Sequence, residues 1–206
     1  IKVNVTPSNE MLKRPESFRV NTSSIELLEK IPPKSGWLER EKYFHPSVSK
    51  SLEVLDKLKK EKRTSLGAFK PKSVEDFIIE KDSGEWNENQ QRVLQQSSLF
   101  KQEKTTLKKV PYKFHYLFHC DDLNCNGHDI QIFDWETAQS YWRFKNIYKD
   151  ESLTLQKLRD KWLDYFFKKR ESYFVVGTDS RWNKFIILTI VSPRRKTNQI
   201  PLFDKI

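Results

Sequence analysis

Tyr112, Phe114, Tyr116 and Phe118 alternate strictly with Lys113, His115, Leu117 and His119. A period of two over eight residues predicts a β-strand with one aromatic face. That face is large, apolar and flat, so it must be covered by another sheet or by helices. The strand runs straight into Cys120-Asp121-Asp122-Leu123-Asn124-Cys125-Asn126-Gly127-His128, and Ile130 and Ile132 read as a shorter second strand. The segment between them is therefore expected to be a hairpin loop.

That loop holds both cysteines of the chain and one of its four histidines. Two thiolates and an imidazole, spaced Cys-x4-Cys-x2-His, suit zinc, which prefers four tetrahedral nitrogen and sulfur ligands. Asn124, Asn126 and Gly127 tolerate the left-handed turns that wrap an ion. The expectation is a structural zinc knuckle on Cys120, Cys125 and His128. A fourth ligand is missing from the motif; His45, Asp121, Asp122, Asp129 or a water are the candidates. His119 is disfavoured because neighbours on a strand point to opposite faces. Without a metal, the cysteines would be small buried hydrophobes.

Asp134-Trp135-Glu136 follows six residues later. Two carboxylates in a basic protein could hold Mg²⁺ for phosphodiester hydrolysis, which makes Asp134 and Glu136 the candidate catalytic pair of a metal-dependent nuclease. The simpler expectation is a helix start, with Asp134 as the cap and Glu136 in the first turn. No glycine-rich nucleotide fingerprint is present, and the chain has five glycines in all.

The rest of the pattern is blocks of helix and strand. Ser23 and Glu26 have capping-box spacing and predict a short helix to about Lys30. A second short helix is expected from Ser35 to Tyr43. Val48, Leu52, Leu55 and Leu58 predict a helix ending near Arg63. Short strands follow at 66–71 and 74–80, and a Gln-rich helix at 87–100. Beyond Asp134, Ser152 is the expected cap of a longer helix carrying Leu155, Leu158 and Trp162. The runs 173–178 and 184–192 form a last hairpin. This is an α+β chain of antiparallel hairpins packed with amphipathic helices. A division into a mainly helical region, 1–110, and an α+β region, 111–206, is expected.

Apolar residues make up only 36% of the chain, but aromatics reach 13%, enough for a core built on large rings. The formal net charge of +10 is spread along both halves and attracts phosphate polyanions. DNA or RNA is thus the expected partner. Arg181 and Trp182, at the tip of the last hairpin, can stack a base and touch a phosphate. Arg194, Arg195 and Lys196 add a basic cluster. No apolar run approaches the length of a membrane span. The start, Ile1-Lys2-Val3-Asn4, has no signal-peptide pattern or initiator Met, so a fragment or processed chain working in a reducing cytoplasm is expected.

Three stretches carry a resemblance: Arg14-Pro15-Glu16-Ser17-Phe18-Arg19, the block from Cys120 to Glu136, and the run from Phe174-Val175-Val176-Gly177 to Pro193. They resemble an uncharacterised bacterial family whose members carry an additional N-terminal β domain. That domain is similar to oligonucleotide/oligosaccharide-binding barrels of bacterial conflict and mobile-element systems. The resemblance implies nucleic-acid association and a defence context, and carries over no catalytic residue. Three functions are therefore expected in competition: a zinc-knuckle nucleic-acid-associated protein, a nuclease, and a non-catalytic interaction subunit of a larger complex.

Overall fold

The computed structural model describes residues 1–7, 14–32, 37–97, 107–179 and 183–194. Its elements begin with two short strands, β1 (Val5–Pro7) and β2 (Phe18–Val20), followed by helix α1 (Leu38–Phe44). Strand β3 (Val48–Ser49) leads into α2 (Leu52–Lys62), then β4 (Leu66–Phe69), β5 (Ser73–Lys81) and α3 (Glu88–Ser97). The second half runs β6 (Tyr112–His119), β7 (His128–Gln131), α4 (Trp135–Tyr148), α5 (Glu151–Arg159), a π-helical continuation (Asp160–Lys168), β8 (Tyr173–Asp179) and β9 (Lys184–Val191). The chain is an α+β protein.

Strands β5, β6 and β7 form one antiparallel sheet in that order, and β3, β4, β8 and β9 form a second. All pairs in the second are antiparallel except β3 with β4. The sheets meet along two lines. On one side β4 passes into β5 through Pro71, and the Lys72 N–H donates to His119 O at 2.8 Å. On the other, Ile132 bridges to Ile187, with the Phe133 N–H donating to Ile187 O at 2.8 Å.

The alternation at 112–118 determines what lies between them. Phe114, Tyr116 and Phe118 all point inward and are buried. They meet Phe77 from β5, Phe69 from β4 and Phe174 from β8, with centroid separations of 4.9–5.8 Å. Tilted and edge-on pairs of this kind add to the stability of plain burial. Trp162, in the π-helical segment, closes the far side against Phe77 and is 1% exposed. Its carbonyl accepts a 2.7 Å hydrogen bond from the buried Tyr116 hydroxyl.

This core takes Leu52, Leu55, Phe69 and Phe77 from before residue 110 and the other rings from after it. Both large sheets likewise pair strands from either side. The core is therefore continuous across residue 110 rather than divided there. An N-terminal ribbon stands apart: β1 and β2 pair only with each other, and all six of their residues are exposed.

Two local expectations need correction. The segment after Ser23 is a single 3₁₀ turn, Thr22–Ser24, capped by Asn21, after which the chain is extended. Glu26 bridges Lys2 instead of closing a capping box. Four residues of weak helix formers are too few to nucleate a helix in isolation. Helix α5 is capped by Asp150, whose carboxylate accepts from the Leu153 N–H at 2.7 Å, so Ser152 lies inside the first turn.

Candidate metal centre

Cys120 follows the last residue of β6, and the chain reverses through a short turn in which the Cys125 N–H donates to Asp122 O. Asp122 Oδ1 also accepts from the Asn124 N–H at 3.0 Å. Gly127 then adopts φ +89°, and a side chain there would press on the His119 ring at 3.0 Å. Glycine is the residue that fits both demands. The return strand β7 begins at His128, whose register partner is Phe118 and whose ring lies 5.0 Å from it. The expected hairpin is thus present, with all three candidate ligands at its end.

The fourth side chain comes from elsewhere. Glu53 lies in the first turn of α2, behind the cap Ser51. Its carboxylate, Cys120 Sγ, Cys125 Sγ and a nitrogen of His128 all lie within 4.8 Å of one another. His128 Nε2 faces Glu53 Oε1 at 2.8 Å and Cys125 Sγ at 3.4 Å. One N–H can satisfy only one of these acceptors, whereas a lone pair aimed at a cation between them serves the whole group. Tetrahedral zinc at its usual bond lengths has donor–donor edges of roughly 3.3–3.8 Å, and the observed separations bracket that range.

Two further observations favour a cation. Glu53 Oε2 is buried with no hydrogen-bond partner, an arrangement that is costly for a carboxylate left to itself. The Cys120 thiol is pushed up to about 12, first by burial and then by the nearby Glu53 and Cys125, with the Leu52 N–H acting the other way. The group thus gathers two acidic thiols and a carboxylate that repel one another when ionised. A coordinated divalent ion removes that conflict, since a ligating thiol is deprotonated outright. Burial raises the Glu53 carboxyl, but the N–H and O–H groups of its own helix turn and His128 outweigh it, leaving it below its usual range.

Backbone N–H groups complete the second layer. Cys120 N–H donates to Cys125 Sγ at 3.1 Å, and Leu52 N–H to Cys120 Sγ at 3.5 Å. Cys120 therefore sits against the positive end of α2, where a thiolate is favoured. Ser51 ties the same helix start to the loop, its hydroxyl donating to Asp122 Oδ2 at 3.1 Å.

The other proposed fourth ligands are occupied elsewhere. Asp121 pairs with Lys72, Asp129 with His115, and Asp122 with the turn. His45 packs against Tyr173. His119 turns to Glu75 at 2.8 Å, as strand alternation requires. Glu53 went unnoticed because an acidic residue in a first helical turn already has an explanation in the helix dipole.

Asp134 and Glu136 form no such group among the described residues. Asp134 caps α4, with Oδ1 accepting from the Glu136 N–H at 2.7 Å and Oδ2 from the Thr189 hydroxyl at 2.6 Å. Glu136 is exposed. Of the basic candidates, Arg181, Trp182, Arg195 and Lys196 lie outside the described residues. Arg194 is exposed and bridges through its backbone to Arg170. No helix among the described residues is long and apolar enough to cross a membrane.

The family described as a domain of unknown function (DUF8757) matches residues 48–206, which include Glu53, Cys120, Cys125 and His128. No curated protein and no solved structure matches the chain.

Proposed function

Because the chain belongs to the DUF8757 family, whose description names no activity, we propose its function from its own residues: a zinc-stapled protein that binds nucleic acid. The observation that carries the metal half is the convergence of Glu53, Cys120, Cys125 and His128 from two distant segments. Two sulfur donors argue against Mg²⁺ and Ca²⁺ and favour zinc. Four protein donors leave no open position, which is the arrangement of a structural site rather than a catalytic one. When bound, zinc supplies a cross-link between the start of α2 and the end of the β6–β7 hairpin. Ser51, Leu52 and Asp122 hold those two segments in register.

The nucleic-acid half is supported by the net charge of +10, which favours phosphate polyanions by counterion release. A bacterial, cytoplasmic, defence-linked setting remains the companion proposal. A nuclease has less support, because both oxygens of Asp134 already accept structural hydrogen bonds. The interaction-subunit reading has one observation in its favour. The ribbon and the extended chain after it expose Val5, Phe18, Val20, Leu27 and Leu28, and a two-stranded ribbon is marginal by itself.

Elemental analysis of protein purified without chelator tests the metal. About one zinc per chain is expected from a single four-ligand site. Glu53→Gln and Cys125→Ser should each lower that content and the melting temperature, because binding to a structural site is folding free energy. Metal-free wild-type protein whose melting is unmoved by chelator would sink the staple. A salt titration against short DNA and RNA tests the other half, and an absence of binding even at about 50 mM salt would leave the interaction subunit as the better reading.

A further inference from the structure

The turn between β4 and β5 and the end of the π-helical segment wall a cleft of about 420 Å³. Lys70, Lys72, Lys168 and Arg170 stand around it, and Glu171 is the one carboxylate in its lining. Leu163 and Phe167 form an apolar floor. Arg194, exposed, is bridged through its backbone to Arg170 at the same end of the fold.

The cations there are held loosely. Lys72 pairs with Asp121 at 3.5 Å, and both side chains are at least two-thirds exposed, at 66% and 73%. Lys168 pairs with Asp164 and is 71% exposed. Exposed pairs of this kind contribute little and exchange readily for a better anion. Glu171 does not oppose an incoming anion strongly, because Lys70 already pairs with it at 2.8 Å and the Tyr173 hydroxyl donates to it at 2.9 Å.

The floor has an unusual backbone. Wide π-helical turns are rare, and where they occur they are concentrated at functional sites. Here one runs over Asp160–Lys168 and ends at the cleft, bringing Leu163 and Phe167 into its lining. The volume lies in the range of small-ligand sites, which suits one extended strand and not a duplex. Cations around an apolar floor match a phosphodiester joined to a flat base.

Resting on the nucleic-acid reading above, we propose that this cleft seats a nucleotide unit of single-stranded nucleic acid, its phosphate against Lys70, Lys72 and Lys168 and its base over Leu163 and Phe167.

Fluorescence anisotropy with a labelled oligothymidylate of about ten nucleotides, within the usual range of single-strand site sizes, tests this over a series of salt concentrations. The variants are Lys72→Glu/Lys168→Glu in the cleft and Lys57→Glu/Lys60→Glu on the exposed face of α2, which change the net charge equally. The cleft pair should lose affinity about tenfold or more, and its log–log salt slope should shrink by about 2, one per lost phosphate contact. The α2 pair should keep the wild-type slope. Circular dichroism melts confirm folding, and Lys72→Gln/Lys168→Gln serves in place of a reversal that unfolds. Equal losses in both pairs would overturn the cleft while leaving nucleic-acid binding intact. Wild-type protein that binds no oligonucleotide would overturn both. Displacement of the oligonucleotide by polyglutamate of equal charge, at equal concentration, would overturn the nucleotide in favour of an acidic peptide.

Discussion

Replacing Asp134 by alanine removes two acceptors at once. Oδ1 caps α4 through the Glu136 N–H, and Oδ2 receives the Thr189 hydroxyl from β9. Loss of an N-cap costs about 1 kcal/mol, and loss of a half-buried hydrogen bond about 0.5–1.5 kcal/mol. The sum, about 2 kcal/mol, corresponds to a fall of about 4–8 °C in melting temperature for a chain of this size. Asp134→Asn keeps the capping oxygen, and its amide can donate to the Thr189 oxygen in the reverse sense. What it loses is a negative charge at the helix N-terminus, about 0.3–1 kcal/mol. Thermal and urea unfolding of both variants, with Thr189→Val to complete a double-mutant cycle, measure these quantities. Equal losses for Asn and Ala, or no coupling between positions 134 and 189, would refute the assignment of Asp134 as a tether between α4 and β9. Mg²⁺-dependent cleavage by wild type that vanishes in a well-folded Asp134→Asn protein would restore the nuclease.

Gly67→Ala places a methyl carbon 2.5 Å from Leu55 Cδ2, and Leu55 is only 2% exposed; overpacking of this kind should cost about 1–3 kcal/mol. Denaturation should show that loss and its partial recovery on adding Leu55→Val, and a neutral Gly67→Ala would contradict the packing of α2 on β4. The Glu171 carboxyl is held below its usual range chiefly by its hydrogen bond to Lys70, with Tyr173 adding to it against the effect of burial. A lowered carboxylate contributes stability that is present above its unfolded value, about 4.3, and is lost as pH falls through its folded value. Melts from neutral to acid pH should therefore show Glu171→Gln destabilised at neutral pH and converging on wild type in acid; a gap that widens toward acid would reverse the sign.

How far the sequence revealed this molecule depended on the range of the interaction. Alternation over 112–118 is a local signal, and it oriented Phe114, Tyr116 and Phe118 correctly. The cap at Asp134 was legible because the acceptor and the helix it serves are adjacent. The cap at Asp150 was missed because Ser152, two positions on, has equally suitable chemistry. Three metal-site residues were visible within nine positions, but Glu53 was not, since nothing local distinguishes it from any acid in a first helical turn. The mixing of both halves in one core was hidden for a related reason. Pairing of β4 with β8 joins residues more than a hundred positions apart, and composition near residue 110 does not record it.

Glu53 and His128 are 75 positions apart. During synthesis at about 5–20 residues per second, α2 would leave the ribosome roughly 4–15 s before the hairpin that completes the group. Through that interval the helix start presents its carboxylate with no thiol to share an ion. Even afterward, Cys120, Cys125 and His128 can offer an ion only three donors until α2 has docked. Tight retention of metal then reports that two segments of the chain, made at different times, have found each other. Such a centre works as a checkpoint on assembly: a chain stalled or cut between the two segments can hold an ion only weakly, and stays open to proteolysis at the end of the sheet where the seal is missing.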